Sequence, residues 1–532
     1  MRNMCYRIII GLLCAASVAS ADVSVNPLFS NGMVLQREMK APMWGKADPG
    51  EVIKIRSSWG LAAETVTSED GRWSTTLRTP EAGGPHSIVI EGKNQILIDD
   101  VLSGEVWFCG GQSNMDYSMD QIARKAKDPK YQPAATYARR EINTANDPYL
   151  RHIGVPHMAS PYEEQDNFEG QWLSVQPENT SKMTATGYYF ARELREKLNV
   201  PVGLVECAWG GSRIEGWLSE EAYRLNPNFT SYYERYLISL KQKQERWDLE
   251  AEKERFRQAM RNWVDRGRQG RQPRMAIEPV RDRHVPATLH KGMLSAVIPY
   301  AIRGVIWYQG EANTGYRNKS YESYFRALIQ SWRQEWGQGD FPFYWVQLAA
   351  FRDANELPLE EDVWASICDQ QRRCLEIENT GMAVANDIGE ANDIHPRNKV
   401  DVGKRLSLLA LSKDYGFDLS ASSGPLYRDH EIVGSSVHIY FDEVGSGLMA
   451  GEKYVLDPVV PVDGPLERFQ IRGKDGGWLW ADAVISGSDC VVVSNQSIQE
   501  PVAVRYAWSS NPEGANLYSK EGLPASIFTT EK

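Results

Sequence analysis

The sequence predicts a mixed α/β protein, with a central α/β domain built on a buried parallel sheet, flanked by an N-terminal and a C-terminal β-sandwich domain. Three observations lead there. At 532 residues the chain is too long for one ordinary core, so two or more domains are expected. Short runs of alternating apolar and polar residues, separated by turn residues, fill 22–100 and return over 418–532. Between them, over 101–417, apolar runs alternate with segments of helical period, the pattern of a parallel sheet covered on both faces.

Taken in order, residues 1–21 read as a secretory signal peptide. Arg2 and Arg7 flank a short apolar run, Ile8 to Ala16, and Ala19-Ser20-Ala21 supplies small residues for cleavage before Asp22. The run is too short to span a bilayer comfortably, and Leu13 before Cys14 is not the small residue of a lipoprotein cleavage site. The expected location is secreted or periplasmic, with no membrane span. In the first sandwich, Glu51-Val52-Ile53-Lys54-Ile55 and His86-Ser87-Ile88-Val89-Ile90 alternate as strands between Asp48-Pro49-Gly50, Asp70-Gly71 and Gly83-Gly84-Pro85. In the α/β region strands are expected over 105–109, 202–208, 304–308, 343–348 and 382–386, with helices over 186–198 and 321–336. A highly charged stretch, 231–275, reads as a helical insertion of one or two amphipathic helices ending in the basic run Arg266, Arg268, Arg271 and Arg274. In the second sandwich, strands are expected from Ser436 to Phe441, Cys490 to Val493 and Ala503 to Trp508.

A formal net charge of −11 argues against a nucleic-acid partner, which would call for a basic face. The 17 Trp and 24 Tyr supply faces that stack on sugar rings, although core filling uses the same residues. Of seven cysteines, Cys5 and Cys14 belong to the signal, and the remaining five leave at least one unpaired. Cys109 and Cys207 end core strands and read as buried thiols. Cys368 and Cys374, six apart on an expected helix, are not at metal-ligand spacing, so no metal site of the zinc or iron–sulfur kind is expected.

Five stretches place glycines or polar groups at predicted strand ends, where open α/β sheets bind ligands. Gly110-Gly111-Gln112-Ser113-Asn114-Met115 sets Ser113 where a strand turns into a helix, its hydroxyl beside free backbone N–H groups. That suits a nucleophile, although serine before a helical run is also a common cap. Cys207-Ala208-Trp209-Gly210-Gly211-Ser212-Arg213 allows close approach of backbone N–H groups, and Trp307-Tyr308-Gln309-Gly310-Glu311-Ala312-Asn313 offers amide donors. Asn386-Asp387-Ile388-Gly389-Glu390 is the fourth. The fifth, Asn392-Asp393-Ile394-His395-Pro396, supplies a base and a carboxylate two residues apart.

The ordered set Gly-Gln-Ser-Asn-Met, Trp-Gly-Gly-Ser, Trp-Tyr-Gln-Gly-Glu-Ala-Asn and Asp-Ile-His-Pro resembles the sialate O-acetylesterase family of SGNH hydrolases. Asn31-Gly32-Met33-Val34-Leu35-Gln36-Arg37, Gly71-Arg72-Trp73 and Arg505-Tyr506-Ala507-Trp508 extend the likeness over nearly the whole chain after the signal. The resemblance implies a three-layer α/β/α SGNH-hydrolase domain and a cofactor-free serine esterase that removes O-acetyl groups from sialic acids through an acetyl-enzyme intermediate. It implies Ser113 as nucleophile, His395 as base and then acid, and Asp393 as the carboxylate that orients the imidazole. The oxyanion donors it implies are the N–H groups of Ser113 and Gly211 and the side chain of Gln309. Asp387 is the rival carboxylate and Asn313 the rival donor. Gln112, Asn114, Arg213 and Glu311 are candidates for substrate contact or for support, Arg213 suiting either a substrate carboxylate or a structural ion pair. Two other functions stand beside this one. The same chemistry on acetylated xylan or pectin is one, because the motif reports the ester and not the sugar. A non-catalytic carbohydrate-binding protein is the other, and the intact Ser113, Gln309 and His395 speak against it.

Overall fold

The computed structural model describes residues 22–316 and 318–531, so the signal-peptide reading lies outside the described residues. Near the N-terminus, Ser24–Val25, Lys40–Lys46 and Arg72–Arg78 form a three-stranded antiparallel sheet. Val52–Ser57 pairs with Ala62–Val66 and Gly83–Glu91, whose last partner is the strand Gln95–Gly111. Alternation decides which residues face inward: Ile53 and Ile55 are buried, and Val52 and Lys54 are exposed.

Gln95–Gly111 does not stop at residue 100. It runs for 17 residues, antiparallel to Gly83–Glu91 in its first part and parallel to Val202–Ala208 and Gly304–Tyr308 in its last. The sheet reads Leu173–Val175, Asp147–Gly154, Val202–Ala208, Gln95–Gly111, Gly304–Tyr308, Phe343–Val346, Thr380–Ala383, all parallel except the first, which is an antiparallel edge. Val202–Ala208, Gly304–Tyr308 and the helix Tyr321–Trp336 occupy the residues expected of them. Asp147–Gly154 was not expected, because Arg151 and His152 interrupt its apolar pattern. The fold gives each an acidic partner, Arg151 on Asp100 at 2.8 Å and His152 Nε2 on Glu206 at 2.7 Å.

Successive side chains on the central strand serve opposite layers. The Trp107 ring meets Phe190 of helix Ala185–Leu198 at 5.0 Å, and Phe108 meets Trp332 of Tyr321–Trp336 at 5.6 Å. A second helix, Lys399–Lys413, lies so close to Ala185–Leu198 that a β-carbon on Gly403 would sit 2.5 Å from the Phe190 nitrogen. The charged stretch forms two helices, Pro227–Glu245 and Leu249–Asp265; the first buries Phe229, Tyr233 and Leu240, the second no residue at all.

Past residue 418 two four-stranded antiparallel sheets follow, one around Ser436–Asp442 and Cys490–Ser494, the other around Phe469–Gly473 and Pro501–Tyr506. Their region reaches back to the α/β layer: Asn386 donates to Ala525 O at 3.0 Å and Asn398 to Val455 O at 2.8 Å. The five described cysteines are all buried and unbridged. Among the described residues no helix is long and apolar enough to cross a membrane, and no cluster of three metal-ligating side chains occurs.

Candidate active site

Three strand ends meet in register. Gly111 lies opposite Ala208 on one side and Tyr308 on the other, so the segments carrying Ser113, Gly211 and Gln309 leave the same edge of the sheet. The order of strands reverses about Gln95–Gly111, which makes this edge the expected crevice. Gly111 has φ +138, and a β-carbon there would stand 2.2 Å from Tyr308 O, so the turn admits only glycine.

Ser113 opens the one-turn helix Ser113–Asp116, and Gln112, not Ser113, occupies the cap position. Its backbone N–H and that of Gly211 have no protein acceptor among the described residues. The neighbouring Gly210 N–H is taken by Asp116 Oδ2 at 3.0 Å. A β-carbon on Gly210 would lie 3.4 Å from Ser113 Cβ, so the two turns are packed together. Two free N–H donors on turns packed beside a serine are what an oxyanion site for acyl transfer would use.

The loop after Thr380–Ala383 carries the candidate base, His395. His395 Nδ1 lies 3.6 Å from Asp393 Oδ1, and the same oxygen accepts the His395 backbone N–H at 3.2 Å. The side-chain contact is slightly longer than a hydrogen bond, as catalytic pairs often are without substrate. Arg397 and Lys127 hold Asp393 Oδ2 at 3.1 and 3.2 Å. Burial works to raise the Asp393 pKa, but the hydrogen bonds from His395, Arg397 and Lys127 win and hold it well below the usual carboxylate range. The His395 ring stacks on Tyr117, with centroids 4.3 Å apart and planes 13° from parallel. Tyr117 in turn donates its N–H to Ser113 O at 2.8 Å, so the imidazole rests against the serine's own turn.

Asn114 ties these parts together. Its Nδ2 donates to Glu311 Oε1 and to Ile394 O at 3.0 Å, and its Oδ1 accepts from Lys399 Nζ at 2.6 Å. Burial pulls Lys399 down to about 7 against the fields of Glu311, Glu390 and Asp393, and burial likewise raises the Glu311 carboxyl.

Other expected residues have different employment. Gln309 is fully buried, and its Nε2 donates to Gln112 Oε1, Ser212 O and Asn313 Oδ1 at 3.2, 3.2 and 2.8 Å. Two protons facing three acceptors leave nothing for an oxyanion, so Gln309 acts as a brace here. Asn313 is also buried, donating to Glu215 Oε2 at 2.9 Å and accepting from Ile214 N at 3.1 Å, and is no free donor either. Asp387 is clasped by both terminal nitrogens of Arg405, at 2.6 and 2.7 Å, and makes no contact with His395 among the described residues. Arg213 lies over the Tyr316 ring at 3.9 Å and forms no ion pair among the described residues. Sequence reasoning passed over Tyr117, Lys399 and Arg283. Arg283 follows the helical insertion and comes back beside Gly211. No local motif marks any of the three.

Residues 103–252 and 287–412, just over half of the chain, match the family model described as "Carbohydrate esterase, sialic acid-specific acetylesterase". Sialate O-acetylesterases from Mus musculus and Rattus norvegicus are 27% and 29% identical, over 94% of this chain and 93% and 92% of their own. A crystal structure of a carbohydrate acetylesterase from Xanthomonas citri superimposes with a TM-score of 0.77 at 32% identity, covering 96% of this chain and all of that one.

Proposed function

Because the chain belongs to the sialic acid-specific acetylesterase family of carbohydrate esterases, we propose that it is a secreted or periplasmic serine esterase that removes O-acetyl groups from sialic acids. The observation that carries this reading is that Ser113 lies on a turn packed against that of Gly211, both with free N–H groups, with His395 of the Asp393–His395 pair stacked against the same turn through Tyr117. In it, Ser113 Oγ attacks the acetyl carbonyl while His395 takes its proton. The two N–H groups hold the oxyanion; losing one such donor typically costs about 100-fold or more in rate. As the bond from the acetyl carbon to the sugar oxygen breaks, His395 protonates that oxygen; the same imidazole then takes a proton from water, which attacks the acetyl-serine, and returns it to Ser113 Oγ as acetate leaves. Asp393, ionised at working pH, fixes the ring and stabilises its charged form. The reading also takes the layers around the central sheet as a three-layer SGNH-type domain and the regions before and after it as β-sandwiches.

The test is acetate release from O-acetylated sialic acids beside acetylated xylan and pectin fragments, with Ser113→Ala as control. Release from sialic acids that falls by about 10⁴-fold or more in the variant supports the reading. Release from the plant glycans alone overturns the substrate, and an active Ser113→Ala protein overturns the mechanism.

A further inference from the structure

We propose that Arg283 selects acidic over neutral acetylated sugars by binding the substrate carboxylate next to the Gly211 N–H. The inference rests on the sialate reading above and adds the residue that would enforce it. Arg283 comes from 253–286, the segment lying between the two blocks matched by the family model.

Its place beside the reaction centre is set by main-chain packing. A β-carbon on Gly216 would stand 2.9 Å from Arg283 O, and Val285 and Ala287 after it are fully buried. The side chain then runs to Gly211, where Nη2 is 3.2 Å from the position a β-carbon would take, and its Cζ lies 5.9 Å over the Trp209 ring. Trp209 is itself stacked flat on His157 at 4.8 Å, which gives the guanidinium a firm floor.

What the guanidinium lacks is an acceptor. Its Nε is buried without a hydrogen-bond partner, and no ion pair engages it among the described residues. The nearest acid in sequence, Asp282, uses Oδ1 to accept the His284 backbone N–H at 3.0 Å. His284 is held below its ordinary range by burial and by the positive fields of Arg213 and Arg283, which outweigh Asp282. On a chain of net charge −11, two arginines without acidic partners at one edge of the site are a local exception. They are not equivalent. Arg213 is laid on Tyr316, whose hydroxyl meets that of Tyr232 at 3.0 Å, whereas Arg283 stands with Nε and Nη2 towards the Gly211 turn. A buried donor left unpaired carries a free-energy cost that a ligand acceptor removes. The planar fork of a guanidinium matches the two oxygens of a carboxylate better than any neutral sugar hydroxyl.

The experiment compares an O-acetylated sialic acid with its carboxyl methyl ester, reading acetate release by wild type, Arg283→Ala and Arg283→Lys. Wild type is expected to prefer the free acid. Arg283→Ala should lower that preference, as the ratio of kcat/KM values, by about ten-fold or more, chiefly through KM. Arg283→Lys, which keeps the charge and loses the fork, should fall between. A ratio that stays at the wild-type value in both variants overturns the inference. Should Arg283→Ala fail to fold, Arg283→Lys decides. Wild type that deacetylates both forms equally overturns this inference alone. Wild type that acts on neutral acetylated sugars and on neither sialate form overturns the sialate reading with it.

Discussion

At the scale of single residues, Asp393 is the most constrained acid of the site, tied to His395, Arg397 and Lys127. Replacing it by Asn should keep the shape and lose the charge that orients the imidazole, lowering kcat by about 10³–10⁴-fold; steady-state acetate release with circular dichroism as a folding check measures this. Lys399 gives a pH prediction. Its pKa in the fold, about 7, lies below that of a free lysine, so between the two the unfolded chain binds more protons and stability rises with pH. Urea unfolding should show wild type gaining stability between pH 7 and pH 9.5 relative to Lys399→Met. Ser113, Asp393 and His395 stand out in the sequence as candidates because their motifs are local. Lys399 does not, since its meaning comes from Asn114, 285 positions away, and a lysine in a helical stretch ordinarily signals solvent. Partners outside their own motifs likewise hid the roles of Gln309, bonded to Gln112 and Ser212, and of Asp387, held by Arg405.

At the scale of elements, the helix Tyr321–Trp336 buries Trp332 completely, and Leu249–Asp265 buries nothing. Trp332→Ala should therefore cost about 3–5 kcal/mol, and Trp263→Ala on the outer helix less than about 1 kcal/mol, both read from denaturant midpoints. Strands such as Val202–Ala208 were legible because both faces are covered and the run is apolar throughout. Asp147–Gly154 and Lys399–Lys413 were hidden because buried Arg151, His152, Lys399 and Arg405 break the apolar pattern. A guanidinium or imidazole that finds a partner inside costs the fold little, yet it erases the periodicity that reveals the element.

At the scale of the whole molecule, the regions on either side of the α/β layer hold the site from two directions. Loop residues of the C-terminal region accept hydrogen bonds from Asn386 and Asn398, on either side of His395, and Tyr518 reaches Asp387 at 3.4 Å. A chain ended at residue 417 should lose esterase activity and melt at lower temperature, measured beside the full chain. From the other side, Gln95–Gly111 runs unbroken from the N-terminal ladder to the turn that precedes Ser113. That continuity restricts what lengths the gene can explore. One residue added between Ser103 and Gly111 would send Trp107 and Phe108 to each other's layer and turn the serine from its crevice. Insertions past Leu249 meet a weaker constraint, since the second helix there is at most half-buried along one face. The outer hairpin is free to drift in length over generations, while the strand feeding the nucleophile has to keep its count.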